Sequence, residues 1–464
     1  MNILDSRLFG KILLLSVAVF ALWSCGDDDE IIISSVEFNP AAVYITEYET
    51  SVDVKVTTKQ SRSLSINSVP KGWTATLSGD IITVTSPKAD DQEAVQSGYV
   101  GLYSYSISDY STYATLYVSM TLPEDLSDKR SNSYIITEGD KSYTIQINRI
   151  GEGNEVISPE KVDIIWQSPS VIMQYAQKIG DDKMSFYIKN DSEGKLIPGN
   201  ALIGAYDESG KLLTTWHIWV TDSEPQAVGR YMDRNLGANS SAHSTELEIL
   251  RSYGLYYQWG RVTPFVGPMS YDCASNYNAA MYGSSSSTYA YMEYLAPTAN
   301  TDLGYALQNP LQYLLGLEEF GYDWLPEHNS ELWSAMGEKS IYDPCPKGWR
   351  VADSFADFEI VDDLSGDLST LEKQFGWNMS NGEEELFFLG GGRRSWLTGY
   401  LTNMNTAVTP KPWIGYYWTS KSGANNQSEA MYFTLDTDNP AKSELHTALL
   451  QPRANGMFVR CVRE

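Results

Sequence analysis

Along the first half of the chain, hydrophobic and polar positions alternate with a period of two in short runs. Val52, Val54 and Val56 alternate with Asp53 and Lys55, and Leu116, Val118 and Met120 with Thr115, Tyr117 and Ser119. Gly79-Asp80 introduces the run Ile81-Ile82-Thr83-Val84. Alternation of this kind, punctuated by turn residues, predicts half-buried antiparallel strands, so residues 33–122 are expected to form a β-sandwich. The same signature returns over 131–222. Tyr143, Ile145 and Ile147 make one stripe, Met184, Phe186 and Ile188 another, and Trp216, Ile218 and Val220 a third, with Gly194, Gly199 and Gly210 at turn-like spacing. A second sandwich is predicted there, joined to the first by the polar stretch Pro123 to Arg130, read as a linker. His217 and Trp219 occupy the opposite face of the third stripe. The second sandwich is therefore expected to pack against the C-terminal part of the chain, with His217 as a packing residue.

From residue 223 to 464 the pattern changes. Strands are less obvious, aromatic residues and glycines cluster, and an α+β region is predicted. A helix is expected over Ser244 to Trp259, capped by Ser244, because Leu247, Leu250, Tyr253 and Tyr257 recur at helical spacing. Gly390-Gly391-Gly392 precedes Arg393-Arg394 without the Gly-Lys-Ser/Thr ending of a phosphate loop, so it reads as a turn with close backbone approach.

The N-terminus has a separate logic. Arg7 and Lys11 precede an apolar run from Ile12 to Trp23, too short to span a bilayer of about 30 Å and suited to a signal-peptide core over 1–24. Leu22-Trp23-Ser24-Cys25 resembles a bacterial lipobox. The following Gly26-Asp27-Asp28-Asp29-Glu30 resembles the acidic tag of surface-exported lipoproteins of Bacteroidetes-type bacteria. These resemblances imply lipidation (palmitate-type acylation) at Cys25, an acidic tether over 25–32, and an outer-membrane protein facing outward and held through its lipid anchor only. With Cys25 acylated, Cys273, Cys345 and Cys461 remain, which is one pair and one free thiol.

The formal charge of −26 argues against nucleic acid and bare anionic membrane as partners, since both need a basic face. It is not a mark of disorder: 13 Trp and 31 Tyr in a chain that is 42% hydrophobic can build sizeable cores. The charge also favours neutral or basic over acidic glycans as ligands.

Two further resemblances bear on the domains. Leu64-Ser65-Ile66 and Val69-Pro70-Lys71-Gly72-Trp73 are similar to the immunoglobulin-like modules named BACON, which implies a spacer module in the first sandwich. Six motifs stand in order beyond residue 223. They are Met232-Asp233-Arg234-Asn235-Leu236-Gly237-Ala238, then Tyr253-Gly254-Leu255-Tyr256-Tyr257-Gln258-Trp259-Gly260-Arg261, then Gln308-Asn309-Pro310. Asp343-Pro344-Cys345-Pro346-Lys347-Gly348-Trp349-Arg350-Val351, Tyr417-Trp418-Thr419-Ser420 and Gly456-Met457-Phe458-Val459-Arg460-Cys461-Val462 complete the set. Together they resemble the Fibrobacter succinogenes major paralogous domain family, and that resemblance implies a C-type-lectin-like fold over 223–464. In that frame Cys345 and Cys461 are expected to be bridged, and Asp233, Arg234, Arg350 and Arg460 to form a structural ion-pair network. Trp259, Trp349 and Trp418 are expected to fill the core.

The resulting expectation is a non-catalytic surface protein of binding or adhesion type, with an extracellular ligand such as a neutral glycan or a neighbouring cell surface. The Tyr-, Ser- and Asn-rich stretch from Ser270 to Tyr294 is the candidate ligand loop, with Tyr271, Tyr277, Tyr289 and Tyr291 as candidate contacts. No metal or cofactor is expected. Asp436-Thr437-Asp438-Asn439 is followed by Pro440 and lacks the EF-hand glutamate. His217, His243, His328 and His446 have no ligand spacing, no nucleophile elbow is present, and Glu383-Glu384-Glu385 reads as a charge run. Formylglycine-generating oxidases, on a related fold, use two reactive cysteines, whereas the matched pair here looks like a staple. The alternative is an accessory subunit of a pilus or of a glycan-uptake complex.

Overall fold

The computed structural model describes residues 33–464 except 109, 272–276, 336, 364 and 403–412. The leader, Cys25, the acidic tether and Cys273 lie outside the described residues. The chain is mostly β and divides into two compact units, one ending at Thr121 and one running from Leu122 to Glu464.

The first unit is a sandwich of two four-stranded sheets. One has the order Ser35–Asn39, Ser51–Lys59, Ile81–Thr85, Thr74–Ser78, and the other Ala42–Tyr44, Ser111–Ser119, Ser97–Ser106, Ser61–Ser68. The alternating valines do what their period requires: Val54, Val56, Ile82 and Val84 from one sheet meet Val100, Leu102, Leu116 and Val118 from the other in a single core. Trp73 closes its end, and its indole N–H donates to Val95 O at 2.8 Å.

The second unit begins with another pair of four-stranded sheets. Ser133–Ile136, Leu212–Val220, Gly199–Tyr206 and Lys161–Ser168 make one, and Met173–Ile179, Lys183–Ile188, Lys141–Gln146 and Glu124–Asp125 the other. The expected linker is thus partly structural. Glu124–Asp125 pairs in parallel with Tyr143 and Thr144, and Leu126, the one apolar residue of the stretch 123–130, buries in the sandwich core. Trp216, Ile218 and Val220 face that core, while Trp219, on the other face, joins a second core shared with the C-terminal region.

That region is organised by the strand Gly456–Arg463, which pairs with Tyr231–Asn235, Tyr256–Gln258, Trp349–Val351, Gly391–Arg394 and Trp413–Ser422 in a ten-stranded sheet. Met457, Val459 and Cys461 point to the core that holds Trp219, and Phe458 and Val462 to a second aromatic core on the other side. The glycine run opens a strand. A Cβ on Gly391 would stand 2.6 Å from the Phe458 ring, so the backbone there approaches closer than any side chain permits.

The predicted helix is shorter than its periodicity. It spans Glu246–Ser252, and its cap is Thr245 rather than Ser244: Thr245 and Glu248 form a reciprocal capping box. Gly254, at φ +79°, turns the chain out of the helix, and a Cβ there would come 2.7 Å from Leu236 O. Tyr257 therefore lies on a strand, opposite Met457, and Leu247 is exposed.

Candidate functional site

Between the second sandwich and the segment 291–312 lies a cleft of about 670 Å³. Its first wall is the hairpin that links Gly199–Tyr206 to Leu212–Val220. Asp207 sets the turn: its Oδ1 accepts from Ser209 Oγ at 2.6 Å, Ser209 N at 2.9 Å and Lys211 N at 3.0 Å. These bonds hold the Asp207 carboxyl below its ordinary range. Gly210 takes φ +81°, the left-handed conformation the turn needs. The turn places Ser209 and Lys211 on the rim beside Tyr206, whose phenol is raised by burial and by the nearby Asp163 charge.

The second wall comes from the parallel strands Glu293–Leu295 and Gln312–Leu314 and the helix Leu303–Gln308. Asp302 caps the helix by accepting from Tyr305 N at 2.6 Å. Pro310 disfavours helical geometry at Asn309, whose side chain instead donates to Tyr305 O at 2.8 Å. Gln312 is held from both sides: its Oε1 accepts from Tyr305 OH at 2.8 Å and its Nε2 donates to Glu293 Oε2 at 3.0 Å.

Behind this wall lies Arg261, 2% exposed. Its guanidinium donates to Gln312 O at 2.8 Å, Ala306 O at 3.1 Å and Gln258 Oε1 at 3.0 Å. It lies 5.1 Å from the Phe265 ring and 5.6 Å from the Trp324 ring. Burial lowers its pKa from the ordinary guanidinium value. The cation thus splints the loop 306–312 through main-chain carbonyls, a role that needs the planar five-donor fork of arginine.

The lining offers two tyrosines, three side-chain amides (Gln308, Asn309 and Gln312), one ammonium and one carboxylate. It contains no histidine or cysteine. Glu293 is its single carboxylate, whereas glycoside hydrolysis by the usual route needs two. Among the described residues no group of three or more His, Cys, Asp and Glu is placed to hold a metal ion. The arrangement suits recognition of a polar, uncharged ligand by stacking and hydrogen bonding.

Of the four candidate tyrosines, Tyr291 lines this cleft and Tyr289 stands next to it, with ring centroids 6.4 Å apart. Tyr271 instead packs edge-on against Phe375 at 5.6 Å, and Tyr277 is 70% exposed. The expected single ion-pair network is three separate arrangements. Arg234 pairs with Asp233 at 2.9 Å and Asp222 at 3.0 Å, and Arg350 pairs with Asp353 at 2.9 Å. Arg460 has neutral acceptors, donating to Asn235 Oδ1 at 2.8 Å and Phe387 O at 3.1 Å, with its cation 4.7 Å from the Phe388 ring. Trp259, Trp349 and Trp418 are all buried, and Cys345 is bridged to Cys461.

No local sequence pattern marks Tyr206, Lys211, Glu293 or Gln312. The motif Gln308-Asn309-Pro310 was the available signal, since it forms part of the wall. The Asp207 to Lys211 turn gave a weaker one.

No family model matches this chain, and no curated protein matches it. Parts of solved structures resemble parts of it. An intimin domain shares 14% identity over 40% of this chain and 99% of that one, with a TM-score of 0.17. A protein of unknown function from Porphyromonas gingivalis shares 12% over 40% and 98%, with a TM-score of 0.16. A Bacteroides ovatus protein, SGBP-B of a mixed-linkage glucan utilization locus, in complex with a mixed-linkage heptasaccharide, shares 12% over 41% of this chain and 46% of that one, with a TM-score of 0.13. At these scores the likenesses carry no fold assignment.

Proposed function

We propose that this chain is a lipid-anchored protein of the outer-membrane surface that binds a neutral glycan without turning it over. The cleft is the observation that carries the reading: Tyr206 and Tyr291 supply stacking faces, and Gln308, Asn309 and Gln312 supply pre-oriented amide donors and acceptors. On this reading residues 223–464 are a Fibrobacter succinogenes major paralogous domain of C-type-lectin-like fold, as the six ordered motifs support. The second sandwich is then part of the binding unit. The net charge of −26 disfavours acidic polysaccharides.

Glycan-array binding of the full chain tests the ligand class. Neutral oligosaccharides are expected to score, and Gln312→Ala to abolish the signal. An array with no bound glycan, or with only acidic ones, overturns the reading. The anchor has its own test. Cys25→Ala is expected to move the protein from the membrane fraction to the soluble fraction, and unchanged partitioning refutes lipidation at that residue.

A further inference from the structure

Three tyrosines form a row that continues outward from the cleft. Residues 281–290 make a hairpin in which Gly283 N donates to Thr288 O at 2.7 Å and Ala290 N to Met281 O at 3.1 Å. Tyr282 and Tyr289 face each other across it, with ring centroids 5.3 Å apart and planes 36° apart. Tyr289 and Tyr291, two residues apart on one extended segment, share a side, with centroids 6.4 Å apart and planes 30° apart. Tyr289 is 55% and Tyr291 73% exposed, and Tyr291 borders the cleft.

The row is mounted on the second sandwich. Gln167, fully buried on the strand Lys161–Ser168, exchanges both main-chain hydrogen bonds with Tyr282, at 2.7 and 2.8 Å. Its side chain donates to Gly283 O at 3.0 Å. Rings held this way present their faces with little ordering cost on binding. Successive separations of 5.3 and 6.4 Å match a repeating ligand that offers one apolar ring face after another. No charged side chain belongs to the row.

Building on the cleft reading, we infer that the ligand is a linear, uncharged oligosaccharide. One end occupies the cleft, and the chain runs over Tyr291, Tyr289 and Tyr282 in that order. Full affinity then needs about four sugar units, one inside the cleft against Tyr206, one on Tyr291 at its mouth, and one each on Tyr289 and Tyr282.

Isothermal titration of the full chain with gluco-, manno- and galacto-oligosaccharides, from disaccharide to hexasaccharide, tests this. Affinity is expected to rise with length to about four units and then level off. Tyr289→Ala, at an exposed site, is expected to weaken tetrasaccharide and longer chains by about tenfold while leaving the disaccharide unchanged. Gln312→Ala is expected to weaken all lengths. Equal affinity at every length, with no effect of Tyr289→Ala, overturns the row and leaves the cleft reading standing. Absence of binding at every length overturns both.

Discussion

His217 shows how a single buried ring can tie two parts of this chain together. Its Nε2 donates to Asn200 Oδ1 at 2.8 Å, an assignment set by the Asn200 amide, whose Nδ2 donates to Gly237 O at 3.0 Å and Asn239 Oδ1 at 3.2 Å. Its Nδ1 lies 3.0 Å from Ser133 Oγ, which is itself 2.6 Å from Pro344 O. Burial holds the ring neutral and lowers its pKa to about 3. Asp343, on the turn that carries Pro344, is the opposite case. Its carboxyl accepts from Cys345 N at 2.8 Å and Val351 N at 2.9 Å, and burial raises it to about 6. The signs come from proton counts. Between about pH 6.5 and 3 the unfolded chain binds more protons at His217, so that group costs stability as the pH falls through this window. Between about pH 6 and 3.8 the folded chain binds more protons at Asp343, so that group adds stability as the pH falls. The two largely offset until Asp343 is protonated in both states, after which His217, at up to about 1.4 kcal/mol per pH unit, adds to the loss from carboxyls held low in the fold, Asp207, Asp222 and Asp353 among them. Urea midpoints of the second unit in the full chain are therefore expected to change little from pH 6 to 4 and to drop below pH 4. His217→Gln, which keeps a donor toward Asn200, should make the drop smaller. A drop of the same size in that variant would assign it to other groups.

At the scale of elements, the legible parts were those with one buried face and a clean period. The strands around Val54, Leu116 and Ile145 each have one apolar face in a core, so alternation reports them directly. Where both faces are covered, the period disappears. Trp413–Ser422 sends Tyr416 and Trp418 to one core and Trp413 and Tyr417 to the other, and from Trp413 to Trp418 its sequence shows no polar residue to mark a face. The helix error has a local cause. Tyr253 and Tyr257 keep helical spacing across Gly254, but a left-handed glycine ends a helix regardless of the residues beyond it. The linker error has another, since a polar stretch containing a single leucine can still be edge strand when that leucine finds a core. The cleft was only half legible. Tyr291 and the Gln308-Asn309-Pro310 motif mark one wall, while the other wall, over 206–212, lies far earlier in the chain, and no local pattern connects them.

For the molecule as a whole, the joint between the second sandwich and the C-terminal sheet makes them one cooperative body. Trp166, Leu202 and Trp219, all on sandwich strands, are at most 1% exposed and sit in the same core as Trp259, Trp349 and both bridged cysteines. Polar groups take the same path. Asn132 Nδ2 donates to Ile341 O and Asp343 O, both at 2.8 Å, and Lys339 pairs with Glu152 at 2.7 Å. Burying each of three large apolar side chains is worth about 1.5–3 kcal/mol, and their sum rivals the whole stability of a typical domain. Residues 223–464 alone would keep the Cys345–Cys461 bridge, whose loop of 116 residues constrains the unfolded chain by about 4–5 kcal/mol, so a defect in that fragment cannot be laid to a lost disulfide. Expressed separately, 122–464 is expected to unfold in a single urea transition with a well-resolved near-UV circular dichroism spectrum. The fragment 223–464 is expected to lack that spectrum and to bind a hydrophobic dye, because the face that Trp166 and Trp219 cover is open to water. A shorter fragment that unfolds cooperatively at the same midpoint would reduce the sandwich to a spacer, and the cleft would then have to work with one wall.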